Sequence, residues 1–192
     1  MLGHLLTSWT IRLALALYVA WLAGWLVASG PRWAAASRWI WTLACGLFLV
    51  HVACAFHFYH HWSHAAAWQD TADETQALLG VAFGDGIYFS YAFMVLWVLD
   101  VAWLWLVSPV WTPWPRLLVH AFLLFIAFNG AIVFEAGPTR WFGLAACAVL
   151  AGLAVRRAYN WQRSIRRGQK TEDRGQTAEE DRGADSVLST EY

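Results

Sequence analysis

Apolar positions gather into five long runs along the chain, and polar, glycine and proline positions mark the breaks between them. The runs cover about residues 11–29, 39–61, 87–107, 117–134 and 138–155. A run of roughly 18 or more apolar residues can cross a hydrocarbon core about 30 Å thick as one helix. Gly30-Pro31 and Gly137-Pro138 punctuate two of the connections. The pattern predicts an all-α, polytopic membrane bundle with five transmembrane helices over residues 1–155.

Composition agrees with a membrane environment. Hydrophobic residues make up 59% of the chain and charged residues 14%, against roughly 45–50% and about 25% in soluble domains. The chain has 15 tryptophans, and an amphipathic indole prefers the headgroup level. Interfacial anchors are therefore predicted near the span ends, at Trp9, Trp33, Trp39, Trp41, Trp62, Trp105, Trp111, Trp114 and Trp141. No nucleic-acid partner is expected.

Positive charge is segregated along the chain, which predicts orientation. With five spans, Arg32, Arg38 and Arg116 fall on the same side as the end of the chain, whereas Arg12 and Arg140 fall on the other. Because basic residues stay cytoplasmic, the amino terminus is predicted outside and the carboxyl terminus inside a cell membrane, as in a bacterial inner membrane. A basic juxtamembrane segment, residues 156–170, is expected to bind anionic lipid through Arg156, Arg157, Arg163, Arg166, Arg167 and Lys170.

Two segments outside the spans have their own patterns. Thr71 followed by Glu74 is a capping-box pattern, which predicts a short helix over residues 72–79 that ends at Gly80. Residues 171–192 mix charges of both signs with Gly, Ser and Thr and have few aliphatic side chains. Such a composition predicts a disordered polar tail.

Four histidines crowd the end of the second run: His57, His60, His61 and His64. On one helix, His57 with His61 and His60 with His64 have the i, i+4 spacing at which two imidazoles can chelate one metal ion. Oxygen ligands are available on the same predicted side from Asp85, from Glu135, or from the loop residues Asp70, Asp73 and Glu74. The cluster predicts a site for zinc, iron or copper. The alternative is a set of hydrated imidazoles at headgroup depth.

The order His57-Phe58-Tyr59-His60-His61 also resembles the H-x-x-H-H box of membrane fatty-acid desaturases and hydroxylases. In that family several such boxes assemble a di-iron centre, whereas this chain has one box, so the family's activity is not inferred. A haem held by His51 or His57 together with His120 is disfavoured, because His51 and His120 differ in predicted depth by about 13 Å at 1.5 Å per residue.

Asp100 is the acidic residue placed well inside a span, and His120 lies in the matching half of the next span. A carboxylate in hydrocarbon costs about 2.5–3.5 kcal/mol on insertion scales, so it should face the bundle and find a partner. An intramembrane Asp100–His120 pair is therefore predicted, either as a proton relay or as a structural clasp.

No motif identifies a reaction, and three classes of function remain open. The first is an accessory or scaffold component of a membrane complex with partner membrane proteins, favoured by the short chain and thin loops. The second is a metal-binding membrane protein or metalloenzyme that uses the histidines. The third is a small carrier or proton-coupled channel that uses Asp100 and His120.

Overall fold

The computed structural model describes residues 2–106, 113–133 and 138–188, and these residues form helices and turns without a strand. The elements follow in the order α1 (Leu2–Val27), α2 (Pro31–Phe58), α3 (His64–Leu79), α4 (Gly86–Leu106), α5 (Pro113–Phe128), a π-helical turn (Asn129–Val133) and α6 (Pro138–Leu188). The predicted all-α class is thus confirmed.

Among the described residues, four helices are long and apolar enough to cross a membrane. They are α1, α2, α4 and the part of α6 at Arg140–Arg167, and a shorter apolar helix lies at Leu117–Ile132. Large apolar side chains are exposed on these helices, as at Leu106 (82%) and Phe142 (77%). Extended apolar surface of this kind is typical of a protein that faces lipid. A membrane protein is supported, and the count of five spans stays a prediction.

Helices α1 and α2 form an antiparallel hairpin and pack more extensively on each other than any other pair of described elements. The break at Gly30-Pro31 is confirmed: Gly30 has φ 101°, which favours glycine, and Pro31 begins α2. Gly24 lies so close to the Trp33 indole that an added Cβ would be 1.9 Å from it. At the far end of the hairpin, Gly3 packs on the Phe58 ring in the same way.

Helix α3 begins earlier than predicted. The Ser63 hydroxyl caps it by accepting from Ala66 N at 3.3 Å, whereas Thr71 lies inside the helix and donates to the Ala67 carbonyl at 2.9 Å. The predicted start near residue 72 was wrong because Ser63 provides a cap without the Glu that completes a capping box. The predicted end is confirmed, since Gly80 closes α3 in the left-handed conformation, φ 75°.

Contacts divide the chain into two compact units, of which the first ends at Leu150 and the second begins at Ala151. In the second unit α6 continues to Leu188. The basic segment 156–170 is therefore helical, and helix also replaces predicted disorder over residues 171–188. Ala, Glu, Gln and Arg favour helix and no proline interrupts this stretch. Residues 189–192 lie outside the described part of the chain.

Candidate functional site

Trp41 on α2 lies at the centre of the core of the first unit. Its side chain is 0% exposed, and its ring centroid lies 4.3 Å from that of Trp21, 5.3 Å from Tyr18 and 5.0 Å from Trp97. These rings come from α1, α2 and α4, so they join three helices. Pairs of aromatic rings at such distances contribute about 0.5–1.5 kcal/mol beyond their buried area. The prediction that Trp41 is an interfacial anchor is therefore wrong.

The Trp41 indole binds the carboxylate that the sequence analysis singled out. Its Nε1 donates a hydrogen bond to Asp100 Oδ2 at 2.7 Å, between α2 and α4. This short bond to a part-buried carboxylate meets the expectation that Asp100 faces the bundle and finds a partner. The donor is an indole on α2, a partner that the sequence analysis did not name.

His120 on α5 packs on the same tryptophans. Its ring centroid lies 5.1 Å from that of Trp21 and 5.4 Å from that of Trp41. Both members of the predicted pair thus contact one indole, Trp41. A direct bond between Asp100 and His120 stays a prediction. We call this group the Trp41 cluster: Tyr18, Trp21, Trp41, Trp97, Asp100 and His120.

The Tyr18 hydroxyl and Trp97 Nε1 of the cluster are buried without a hydrogen-bond partner in the described part of the chain. Their side chains are 2% and 1% exposed. Buried polar groups are usually satisfied, and each exception needs a reason such as a functional role or an ordered water. The Trp41 cluster therefore has polar groups beyond those used in the Trp41–Asp100 bond.

A cavity of about 260 Å³ adjoins the cluster between α1, α2, α4, α5 and the π-helical turn. Its polar lining includes His51 and Ser90, and Phe93 and Trp97 belong both to its wall and to the buried core. His51 Nδ1 donates to the Thr7 carbonyl oxygen at 2.9 Å, which fixes the ring between α1 and α2. The cavity and the cluster therefore share the Trp97 ring.

The π-helical turn supplies another wall of this cavity through Gly130 and Ala131. A π-helical turn shifts the backbone hydrogen bonds by one residue, and such turns are frequent at functional sites. Asn129 Nδ2 donates to the Phe125 carbonyl oxygen at 2.7 Å. This bond ties the Asn129 side chain to its own helix where the π-turn begins.

The four clustered histidines do not share one helix face. Helix α2 ends at Phe58, and the chain then turns through His61 (φ 49°) and Trp62 (φ 60°) before α3 begins at His64. The i, i+4 chelates expected from one continuous helix are therefore not formed. We call residues 57–64 the histidine turn. Left-handed conformations are costly for side chains other than glycine.

Within the histidine turn the imidazoles contact different partners. His60 Nδ1 lies 3.0 Å from Asp70 Oδ2, and His64 Nδ1 lies 2.9 Å from the Tyr91 hydroxyl. The His57 ring packs on that of Phe58, with 4.7 Å between their centroids.

The predicted oxygen ligands do not complete a metal site in the described residues. Asp85 accepts from Trp68 Nε1 at 3.0 Å, and Glu135 lies outside the described residues. Among residues 2–106, 117–132 and 140–167, whose side chains the structure describes, no group of three or more His, Cys, Asp or Glu side chains forms an arrangement that could hold a metal ion. A zinc, iron or copper centre stays a prediction without support from this geometry.

Comparison of the chain with protein-family models, with curated proteins and with solved structures found no match.

Proposed function

We propose that the protein is a five-span integral membrane protein that conducts protons through its helical bundle, as a small channel or a proton-coupled carrier, with Asp100 as the group that binds the proton. The observation that carries this proposal is that the Trp97 ring both lines the cavity and packs in the Trp41 cluster. The proposed proton path runs from the cavity, which contains His51 and Ser90, past Trp97 to the Asp100 carboxylate that Trp41 binds.

The fifth span of the proposal is α5 with the π-helical turn. These two elements contain 16 and 5 residues and follow each other directly. At 1.5 Å per residue they reach about 30 Å, which matches the hydrocarbon core. With five spans, Arg32 and Arg38 lie on the cytoplasmic side together with the arginines of α6 from Arg156 onward, which supports an outer amino terminus.

Depth supports a path with polar groups in both halves of the bundle. Ser90 lies four residues after the start of α4 and Asp100 six residues before its end, about 15 Å apart along the helix. Trp97 lies between them in sequence, and its ring centroid is 5.0 Å from that of Trp41. A change in the cavity that moves the Trp97 ring should therefore also move the Trp41 indole, which binds Asp100.

The chemistry needs one reversible step at Asp100. An ionised carboxylate holds the Trp41 N–H strongly, because a charged acceptor shortens and strengthens a hydrogen bond. When a proton arrives at the carboxylate, the charge is lost and the bond weakens to that of a neutral pair. Proton binding and the packing of α2 against α4 are thus coupled through one hydrogen bond.

Proton uptake into vesicles tests the proposal. Full-length protein is reconstituted with a pH-sensitive dye inside, and a potassium gradient with valinomycin drives protons inward. Wild-type protein should acidify the lumen faster than empty vesicles do, and Asp100→Asn should reduce uptake to the level of empty vesicles. Asp100→Glu, which keeps the carboxyl group, should retain part of the activity.

Asp85→Asn is the matched control, because Asp85 also accepts from a tryptophan Nε1 but lies exposed before α4. It should conduct like wild type. Equal uptake by wild-type and Asp100→Asn vesicles, with both proteins folded, would overturn the proposal.

A second candidate function is the accessory or scaffold role, and one observation favours it. Helix α6 continues from the end of its apolar window at Arg167 to Leu188, which is longer than a membrane span requires. Protein truncated after Arg167 should then lose co-purifying membrane proteins that the full-length chain retains. Identical co-purified proteins with both chains would remove this role for the extension.

A further inference from the structure

A second cavity, of about 650 Å³, lies between α1, α5 and α6 on the surface of the first unit. Its walls are almost entirely apolar, as at Val19, Leu22, Phe128 and Leu150. Its volume is in the range of about 300–1,000 Å³ that is typical of sites for small ligands. We call it the α1/α6 groove. The groove lies on other helices than the two that flank the histidine turn, and a ligand bound there would not require the proposed proton conduction.

The length of the groove matches one leaflet of a bilayer. From Arg12, its lining on α1 runs to Leu22, about 15 Å at 1.5 Å per residue. Half of a hydrocarbon core is about 15 Å thick. An extended acyl chain that enters at the interface would therefore follow the groove through most of its leaflet.

One cation lies at the end of the groove that is nearer the start of α1. Arg12 is the single Lys, Arg, Asp or Glu residue in Leu2–Val27, and it lines the groove one turn after Trp9. Its guanidinium lies 5.7 Å from the centroid of the Trp9 ring. Arginine in a span extends its charged end to the interface. A planar guanidinium there matches the oxygens of a phosphate group.

The geometry points to one occupant, a phospholipid whose acyl chain lies in the α1/α6 groove and whose phosphate binds the Arg12 guanidinium. The charge of Arg12 complements the phosphate, and the apolar wall complements the chain. An irregular peptide segment fits this wall poorly, because its backbone would find no hydrogen-bonding groups at membrane depth. The site thus favours a membrane lipid whose headgroup carries a phosphate.

Cys147 gives a direct probe, since it lines the groove and is partly exposed. Full-length protein with Cys54→Ser is labelled in detergent with a membrane-permeable maleimide, and the label is located by mass spectrometry. Cys45 is buried and serves as an internal reference. Dioleoyl phosphatidylglycerol should slow labelling of Cys147 in a saturable way. Dioleoylglycerol, which lacks the phosphate, and inorganic phosphate, which lacks the chains, should protect much less.

Arg12→Gln should weaken protection by phosphatidylglycerol about tenfold or more, because hydrogen bonds to charged groups are the strong ones. Arg12→Lys keeps the charge and should lose less. Arg140→Gln removes the basic residue near the start of α6 that does not line the groove, and it should bind like wild type. If Arg12→Gln fails to fold, Ala146→Phe fills the groove and should also abolish protection.

Three outcomes would overturn the inference. Equal protection by dioleoylglycerol would show that the phosphate is not recognised. Unchanged protection in folded Arg12→Gln protein would exclude Arg12 as its ligand. Shielding of Cys147 that rises with protein concentration and needs no added lipid would identify a second copy of the chain as the occupant.

Discussion

The bundle contains the same hydrogen bond in two environments. Trp41 Nε1 donates to Asp100 at 2.7 Å in the core, and Trp68 Nε1 donates to Asp85 at 3.0 Å where α3 meets the start of α4. Trp41 is 0% exposed, whereas Trp68 is 38% exposed. Donor and acceptor chemistry are identical, so the two pairs differ in their surroundings.

The two pairs differ in how well the carboxylate is solvated once its hydrogen bond is broken. At the exposed pair, water replaces the lost partner, and such a bond contributes little net free energy. In the core, a carboxylate that loses its donor stays poorly solvated, and this costs considerably more. The Trp41–Asp100 bond should therefore hold α2 on α4, while the Trp68–Asp85 bond orients the chain at Gly84, which packs on the Trp68 ring.

The sharpest comparison replaces each tryptophan by phenylalanine. Trp41→Phe should lower the free energy of unfolding by about 3 kcal/mol, since it leaves Asp100 without its donor and opens space in the core. Trp68→Phe should cost below about 1 kcal/mol, because water reaches Asp85. Denaturant titration in detergent, followed by tryptophan fluorescence, measures both. Similar losses for the two variants would contradict the proposed difference in burial.

A third indole also donates a hydrogen bond between α2 and α4, and we expect this bond to contribute less to stability than the Trp41–Asp100 bond does. Trp105 Nε1 on α4 donates to the Thr42 hydroxyl on α2 at 2.9 Å, an exposed bond to an uncharged acceptor. Thr42→Val keeps the shape and removes the acceptor, so it should cost about 0.5–1 kcal/mol. Thr10→Val is the control, since Thr10 bonds carbonyls of its own helix. If Thr42→Val lowered the free energy of unfolding as much as Trp41→Phe does, the main hydrogen bond between α2 and α4 would be the one at Thr42.

The smallest change in stability is expected at the histidine turn, which is largely exposed, like the Trp68–Asp85 pair. A residue with a Cβ costs roughly 1–2 kcal/mol in the left-handed conformation. Glycine avoids this cost, but its greater conformational freedom in the unfolded chain lowers stability by about 0.5–1 kcal/mol. His61→Gly should therefore raise stability by up to about 1 kcal/mol. His60→Gly, at a residue outside the left-handed region, should destabilise. Thermal unfolding compares them, and destabilisation by His61→Gly would mean that its side chain contributes more than its strain costs.

Local signals in the sequence located the breaks between helices well. Gly30-Pro31 and Gly80 end or begin helices where they were expected, because each adopts a conformation that other residues avoid. The third span, predicted over residues 87–107, corresponds to α4 at Gly86–Leu106. Asp100 was likewise singled out as a buried group that needs a partner, because ionisable residues in apolar surroundings are costly.

The partner of Asp100 could not be read from the chain. In a membrane helix, the side that faces lipid and the side that faces the core are both apolar, so periodicity does not separate Trp41 from an interfacial tryptophan. The histidine site failed for a different reason. The helix was extended past Phe58 because Tyr59, His60 and His61 have no glycine or proline to stop it, whereas the structure turns there through left-handed His61 and Trp62.

The α1–α2 hairpin has a consequence for biogenesis. Its two close contacts, Gly24 on Trp33 and Gly3 on Phe58, lie wholly within the first 58 residues. Domains assemble in the order in which the ribosome releases them, and antiparallel neighbours joined by a short turn have little loop entropy to lose. We expect the hairpin to enter the bilayer as a preassembled pair, onto which the later helices are added as translation proceeds.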